Sequence, residues 1–82
     1  MESQANFPHL WLNKIMEVFV ERLKELRIEK GLSLVQLAKE TGISKSAISF
    51  WENGNRIPTA LHIITLAKYF EVSADYLLGL ED

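Results

Sequence analysis

From about Asn13 to Lys30, apolar side chains recur at helical spacing. Ile15, Met16, Phe19, Leu23 and Leu26 form one stripe with Val20 at its margin, and Glu21, Lys24 and Glu25 lie outside it. Gly31 is placed to end this helix as a left-handed cap. Ser33-Leu34-Val35-Gln36 has the form of a capping box, with a hydroxyl at the N-cap and an amide three residues later. The helix it opens is expected to bury Leu34 or Val35, then Leu37 and Ala38, and to stop at Thr41-Gly42. After a short turn, Ser44 caps a third helix holding Ala47, Ile48 and Trp51, which ends at the left-handed-tolerant run Asn53-Gly54-Asn55. Pro58 disfavours helix at Ile57, so Arg56-Ile57-Pro58 reads as an extended link. Thr59 then caps a fourth helix with an expected stripe of Leu61, Ile64, Ala67 and Phe70, and Ser73 caps a short fifth that Gly79 ends. Period-two alternation is scarce, and the expectation is five short helices in an all-α fold.

At 82 residues the chain fits one small domain, and its 48% hydrophobic and 24% charged composition is globular. A domain of this size buries only about 60% of its unfolded surface, so a partner subunit has value for stability. The absence of cysteine excludes disulfides, thiolate zinc sites and cysteine nucleophiles. No apolar run approaches the roughly 18 residues of a membrane span. Met1-Glu2-Ser3-Gln4-Ala5 lacks the basic flank of a signal peptide, and a cytoplasmic protein with no membrane role is expected. The net charge of −2 argues at first against nucleic acid. Its distribution changes that picture: residues 14–30 and 31–56 each carry a net +1, while residues 57–82 carry −3.

Enzyme chemistry finds little support. The two histidines, His9 and His62, have no metal-ligand spacing, and no metal or cofactor is expected. Glu71 and Asp75 lie one turn apart near a helix start, where acids complement the dipole. The four glycines are single terminators, not a phosphate loop. The distinctive feature is the pair of short helices, about 33–40 and 44–52, joined by a tight turn at Gly42, which is the shape of a helix-turn-helix. Such a turn lets Leu37, Ala38, Ile43, Ile48 and Trp51 pack inward. The outward face of the second helix is then Lys45, Ser46, Ser49 and Phe50. A major groove about 12 Å wide accepts one helix presented in this way.

These residues, together with Arg22-Leu23-Lys24-Glu25-Leu26-Arg27, Lys30-Gly31-Leu32-Ser33, Trp51-Glu52-Asn53-Gly54, Pro58 and Ser73-Ala74-Asp75-Tyr76-Leu77-Leu78-Gly79, carry a resemblance. The chain from Phe19 to Gly79 resembles the phage-repressor and Cro-like (XRE-type) helix-turn-helix family. The resemblance implies a compact five-helix, lambda-repressor-like DNA-binding domain over residues 19–79, preceded by an apolar N-terminal extension (1–18) and followed by a short acidic tail (80–82). It implies that Lys45, Ser46, Ser49 and Phe50 face base edges, that Asn53, Asn55 and Arg56 hold phosphates, and that Arg27 and Glu52 form an internal ion pair. One position departs from the family pattern. Leu34 stands where many members carry a glutamine that braces the phosphate backbone, and Gln36 either substitutes for it or belongs to the capping box.

Lys45 can donate to guanine or to a phosphate, and Ser46 and Ser49 can bond almost any base. Phe50 either meets a thymine methyl, packs near Trp51, or contacts a partner protein. The segment Phe7-Pro8-His9-Leu10-Trp11-Leu12 is unusually apolar for a terminus. It is expected to be a turn or helix docked on the domain's own core, a dimer contact shared with Leu77, Leu78 and Leu80 in which Trp11 is the anchor, or a loose tail. Two functions remain. One is a transcriptional regulator, with repression as the expected sense, that binds a roughly palindromic double-stranded operator as a homodimer. The other is an antitoxin-like or other protein-interaction module in which the extension engages a protein partner.

Overall fold

The computed structural model describes residues 2–54 and 56–81, with side chains from Lys14 onward. Among them the chain forms five helices: α1 (Glu2–Glu29), α2 (Leu34–Thr41), α3 (Lys45–Glu52), α4 (Ala60–Phe70) and α5 (Ala74–Leu78). No strand occurs among the described residues. Helix α1 differs most from expectation, because it starts at Glu2 and not near Asn13. The segment before Asn13 continues the same helix, with Pro8 as its seventh residue. At 1.5 Å per residue its span is about 42 Å, and it accounts for the long axis of a molecule measuring 46 × 25 × 20 Å. The side chain of Trp11, expected as an interface anchor, lies outside the described residues.

Helices α2, α4 and α5 each start from an extended hydroxyl residue, Ser33, Thr59 and Ser73 respectively, whose side chain accepts from a backbone N–H of the first turn. At Thr59 the box is completed by a histidine: His62 is the third residue of α4, and its Nδ1 accepts from Thr59 N at 3.4 Å. The same ring lies 4.9 Å from that of Trp51, so the half-buried His62 also links α4 to the core.

One core gathers a contribution from every helix. Phe19 and Leu23 enter from α1, Leu37 from α2, Ile43 from the turn, Ile48 and Trp51 from α3, Ile63, Leu66 and Ala67 from α4, and Leu77 from α5. Phe19 and Trp51 meet edge to face with centroids 6.0 Å apart, an arrangement aromatic quadrupoles favour. Complete burial of a side chain of the Leu or Phe class contributes roughly 1.5–3 kcal/mol. Phe19, Leu23, Leu37, Ile48, Leu66 and Leu77 are all in that state.

Two expectations about apolar positions are corrected here. Leu61 and Ile64 are not core residues: they are 71% and 47% exposed, and α4 buries Ile63, Leu66 and Ala67 instead. Eight of the eleven residues of this helix are apolar or aromatic, so more than one inward stripe satisfies the helical period and only the neighbours decide between them. Leu77 is the second correction. It is wholly enclosed in the core, so it presents no surface to a partner. Leu78 is half-buried against the same core, and Leu80 is left exposed.

The C-terminal residues are held against α1. Arg22 Nη1 donates to the carbonyl of Tyr76 and, at 2.8 Å, to that of Glu81, while its guanidinium lies 4.2 Å from the Tyr76 ring centroid. Gly79 closes α5 at φ +78, and a Cβ there would come 2.9 Å from Val18 on α1. Glycine thus serves both the left-handed turn and the close passage of α5 over α1.

Candidate nucleic-acid interface

The helix-turn-helix is built by local hydrogen bonds before packing adds to it. Ser33 Oγ accepts from Gln36 N at 3.1 Å, and Gln36 Oε1 accepts from Ser33 N at 2.8 Å. The Gln36 amide oxygen is therefore engaged in its own capping box. Leu34 itself packs against the core, and Val35 is exposed. Helix α2 stops at Gly42, whose N–H donates to Ala38 O at 2.9 Å. Thr41 reinforces the corner by donating to Leu37 O at 2.8 Å and accepting from Ile43 N at 3.2 Å. Ile43 buries itself in the core, and Ser44 restarts the chain by accepting from Ala47 N at 3.1 Å.

Helix α3 has eight residues, a length of about 12 Å. Its inner face, Ile48 and Trp51, is buried. Its outer face carries Lys45 and Ser46, both exposed, with Ser49 half-buried and Phe50 39% exposed. These four side chains line a single shallow dip in the surface. Lys45 has no ion-pair partner among the described residues. It sits in the first turn, where a cation opposes the helix dipole. A phosphate or guanine edge in front of that turn reverses the penalty, because the helix N-terminus and the ammonium then attract the same group.

The far end of α3 is clamped. Arg27 Nε donates to Glu52 Oε2 at 2.7 Å and its Nη2 to Oε1 at 3.0 Å, while Nη1 donates to Leu32 O at 2.8 Å. The pair is nearly enclosed, with 15% and 7% of the two side chains exposed. The hydrogen bond to Glu52, foremost, holds the Arg27 guanidinium protonated beyond its ordinary range, with burial opposing it. The clamp joins α1 to α3 and occupies the carboxylate that would otherwise repel phosphate beside the recognition face.

Beyond Glu52 the backbone turns through Asn53, which is exposed, and Gly54 at φ +74. Asn55 lies outside the described residues. Arg56 is exposed, and its guanidinium carbon stands 4.6 Å from the centroid of the Phe50 ring. Lys45, Ser46, Ser49, Phe50 and Arg56 thus share one side of the molecule, and Arg27 and Glu52 are held beneath it. The stacking of Arg56 on Phe50 was absent from the sequence reading. The only trace of it in the sequence is an aromatic residue six positions before an arginine, across a glycine turn.

Among the described residues no cluster of three or more His, Asp or Glu side chains has metal-binding geometry. No helix searched there is long and apolar enough to cross a membrane.

Comparison with known proteins gives a consistent result. The HTH_3 helix-turn-helix family matches residues 23–77. An HTH-type transcriptional regulator of Bacillus subtilis (strain 168), YobD, is 37% identical over 65 residues, which cover 79% of this chain and 58% of YobD. Repressor protein C2 of Salmonella phage P22 is 34% identical over 58 residues, covering 71% of this chain and 27% of the repressor. The crystal structure of an HTH_3 family transcriptional regulator from Vibrio cholerae superposes with a TM-score of 0.70 at 30% identity, covering 87% of this chain and 39% of that one. This chain thus corresponds to only part of each of these three longer proteins.

Proposed function

The chain belongs to the HTH_3 helix-turn-helix family, and on that premise we propose that it regulates transcription in the cytoplasm by binding double-stranded DNA. In this reading α3 enters the major groove of each half of a roughly palindromic operator, the protein acts as a homodimer, and its effect is repression. The observation that carries the reading is the outer face of α3, where an ammonium, two hydroxyls and an arene stand on a helix whose inner face is anchored by Ile48 and Trp51. A duplex is a partner such a face fits, because base edges offer acceptors and thymine methyls while the flanking phosphates attract Lys45 and Arg56.

Lys45 reads a guanine edge or an adjacent phosphate. Ser46 and Ser49 accept several bases, Phe50 stands on the same groove-facing side, and Asn53, Asn55 and Arg56 hold the backbone. With so few fixed donors, groove shape and deformability supply part of the selectivity. Dimerisation through residues 1–18, together with the exposed Leu80 and half-buried Leu78, sets the two recognition helices about 34 Å apart.

Selection of bound duplexes from a random library tests the reading. The expected result is an enriched, two-fold-symmetric motif whose complex weakens with added salt as counterions are released. Lys45→Ala is expected to relax preference at one position and cost about 1–3 kcal/mol if it reads a base. Failure to retain any duplex at low salt rejects the DNA role. A mass that stays monomeric at all concentrations in light scattering rejects the dimer.

A further inference from the structure

We infer that Phe50 is a positioning residue for Arg56: its ring is the platform that holds the guanidinium on the recognition face, and it acts on DNA through that arginine and not through a base contact of its own. The inference rests on the DNA-binding reading above and refines one residue within it. Phe50 is 39% exposed on the outer face of α3, and the guanidinium of Arg56 lies 4.6 Å from its ring centre. Among the described residues Arg56 makes no ion pair, and stacking leaves the five N–H donors of a guanidinium at its edge. An arene face attracts a guanidinium through its quadrupole without consuming any of those donors. A carboxylate partner would occupy two of them, as Glu52 does for Arg27.

The backbone between the two residues makes the meeting possible. Helix α3 ends with its last turn clamped by Arg27–Glu52, and Gly54 follows it at φ +74. Arg56, six residues after Phe50 and exposed, stands beside its ring. A long side chain held in this way has less rotamer freedom to lose when it meets a phosphate, which is the advantage of preorganisation. Lysine is not equivalent, since its ammonium is compact and strongly hydrated and lacks a planar face to stack.

A double-mutant cycle on the full chain tests the assignment, with the duplex selected by the wild-type protein as probe. Phe50→Leu keeps apolar volume but removes the ring face, and with Arg56 present it is expected to weaken binding roughly two- to fivefold. In the Arg56→Ala background the same change is expected to have no further effect. Phe50→Tyr is expected to restore wild-type affinity, and Phe50→Leu to leave the selected motif unchanged. Arg56→Ala is expected to reduce the slope of log affinity against log salt by about one. In the free protein, upfield ring-current shifts of the Arg56 side-chain protons are expected and should vanish in Phe50→Leu. Equal losses from Phe50→Leu with Arg56 or Ala at position 56, or a lost preference at a single thymine, overturn the inference and make Phe50 a direct reader. Unshifted Arg56 protons in the wild type overturn it without DNA. A wild-type protein that retains no duplex rejects the DNA-binding reading itself, an outcome separate from the other two.

Discussion

Helices α3 and α4 both bury an apolar inner stripe, yet their outer faces differ. Ile48 and Trp51 anchor α3, and Ile63, Leu66 and Ala67 anchor α4. Outward, α3 shows an amine, hydroxyls and an arginine-capped arene, whereas α4 shows the aliphatic chains of Leu61 and Ile64, with Thr65 and Lys68 beside them. Aliphatic groups neither donate to base edges nor neutralise phosphates, so the Leu61–Ile64 patch is less suited to a groove than the polar face of α3. The inner faces determine whether the domain folds. The chemistry available to a partner is set by the outer ones.

The comparison breaks most easily in the core. Trp51→Ala is expected to cost about 3–5 kcal/mol and Leu66→Ala about 2–5 kcal/mol, both read from denaturant midpoints. Alanine at Phe50 or Leu61, outward on the same two helices, is expected to stay within about 0.5 kcal/mol. Comparable losses at inward and outward positions would erase the distinction. Next in size is the clamp beneath α3. Arg27→Ala strands the Glu52 carboxylate and is expected to cost about 3 kcal/mol, the low end for breaking an enclosed pair because its rim is open. A variant as stable as wild type would show the pair to be dispensable. The smallest effect sharpens the contrast: Leu61→Gln with Ile64→Gln should leave both stability and duplex affinity nearly unchanged. A large drop in affinity would mean that the outer face of α4 takes part in binding.

Much of this was legible residue by residue. Ser33 with Gln36, Ser44, Thr59 and Ser73 each form the cap their spacing predicts, since capping depends only on neighbours along the chain. Leu37, Ile48 and Trp51 are inward as the short helices require, because a segment with few apolar side chains has one possible buried stripe. The same logic failed for α4, where apolar residues surround the helix and Leu61 and Ile64 compete on equal terms with Ile63 and Leu66. It failed again at Leu77, which reads as part of an apolar terminus until α1 is seen to cover it. The Arg56–Phe50 stack escaped for a different reason. It depends on the path taken through Gly54, and residue spacing does not specify which direction a turn sends the following side chain.

The amino-acid sequence by itself determined the five-helix division, the caps and the tight corner at Gly42, because each follows from interactions within a few residues. It also confined the polar surface chemistry to a small set centred on Lys45. The tertiary structure decided which face of α4 is interior, that Leu77 is enclosed, that α1 binds the chain's last residues through Arg22, and that Arg56 lies on Phe50. Those outcomes arise where segments distant in the chain compete for the same space, and packing density, not local preference, selects among them.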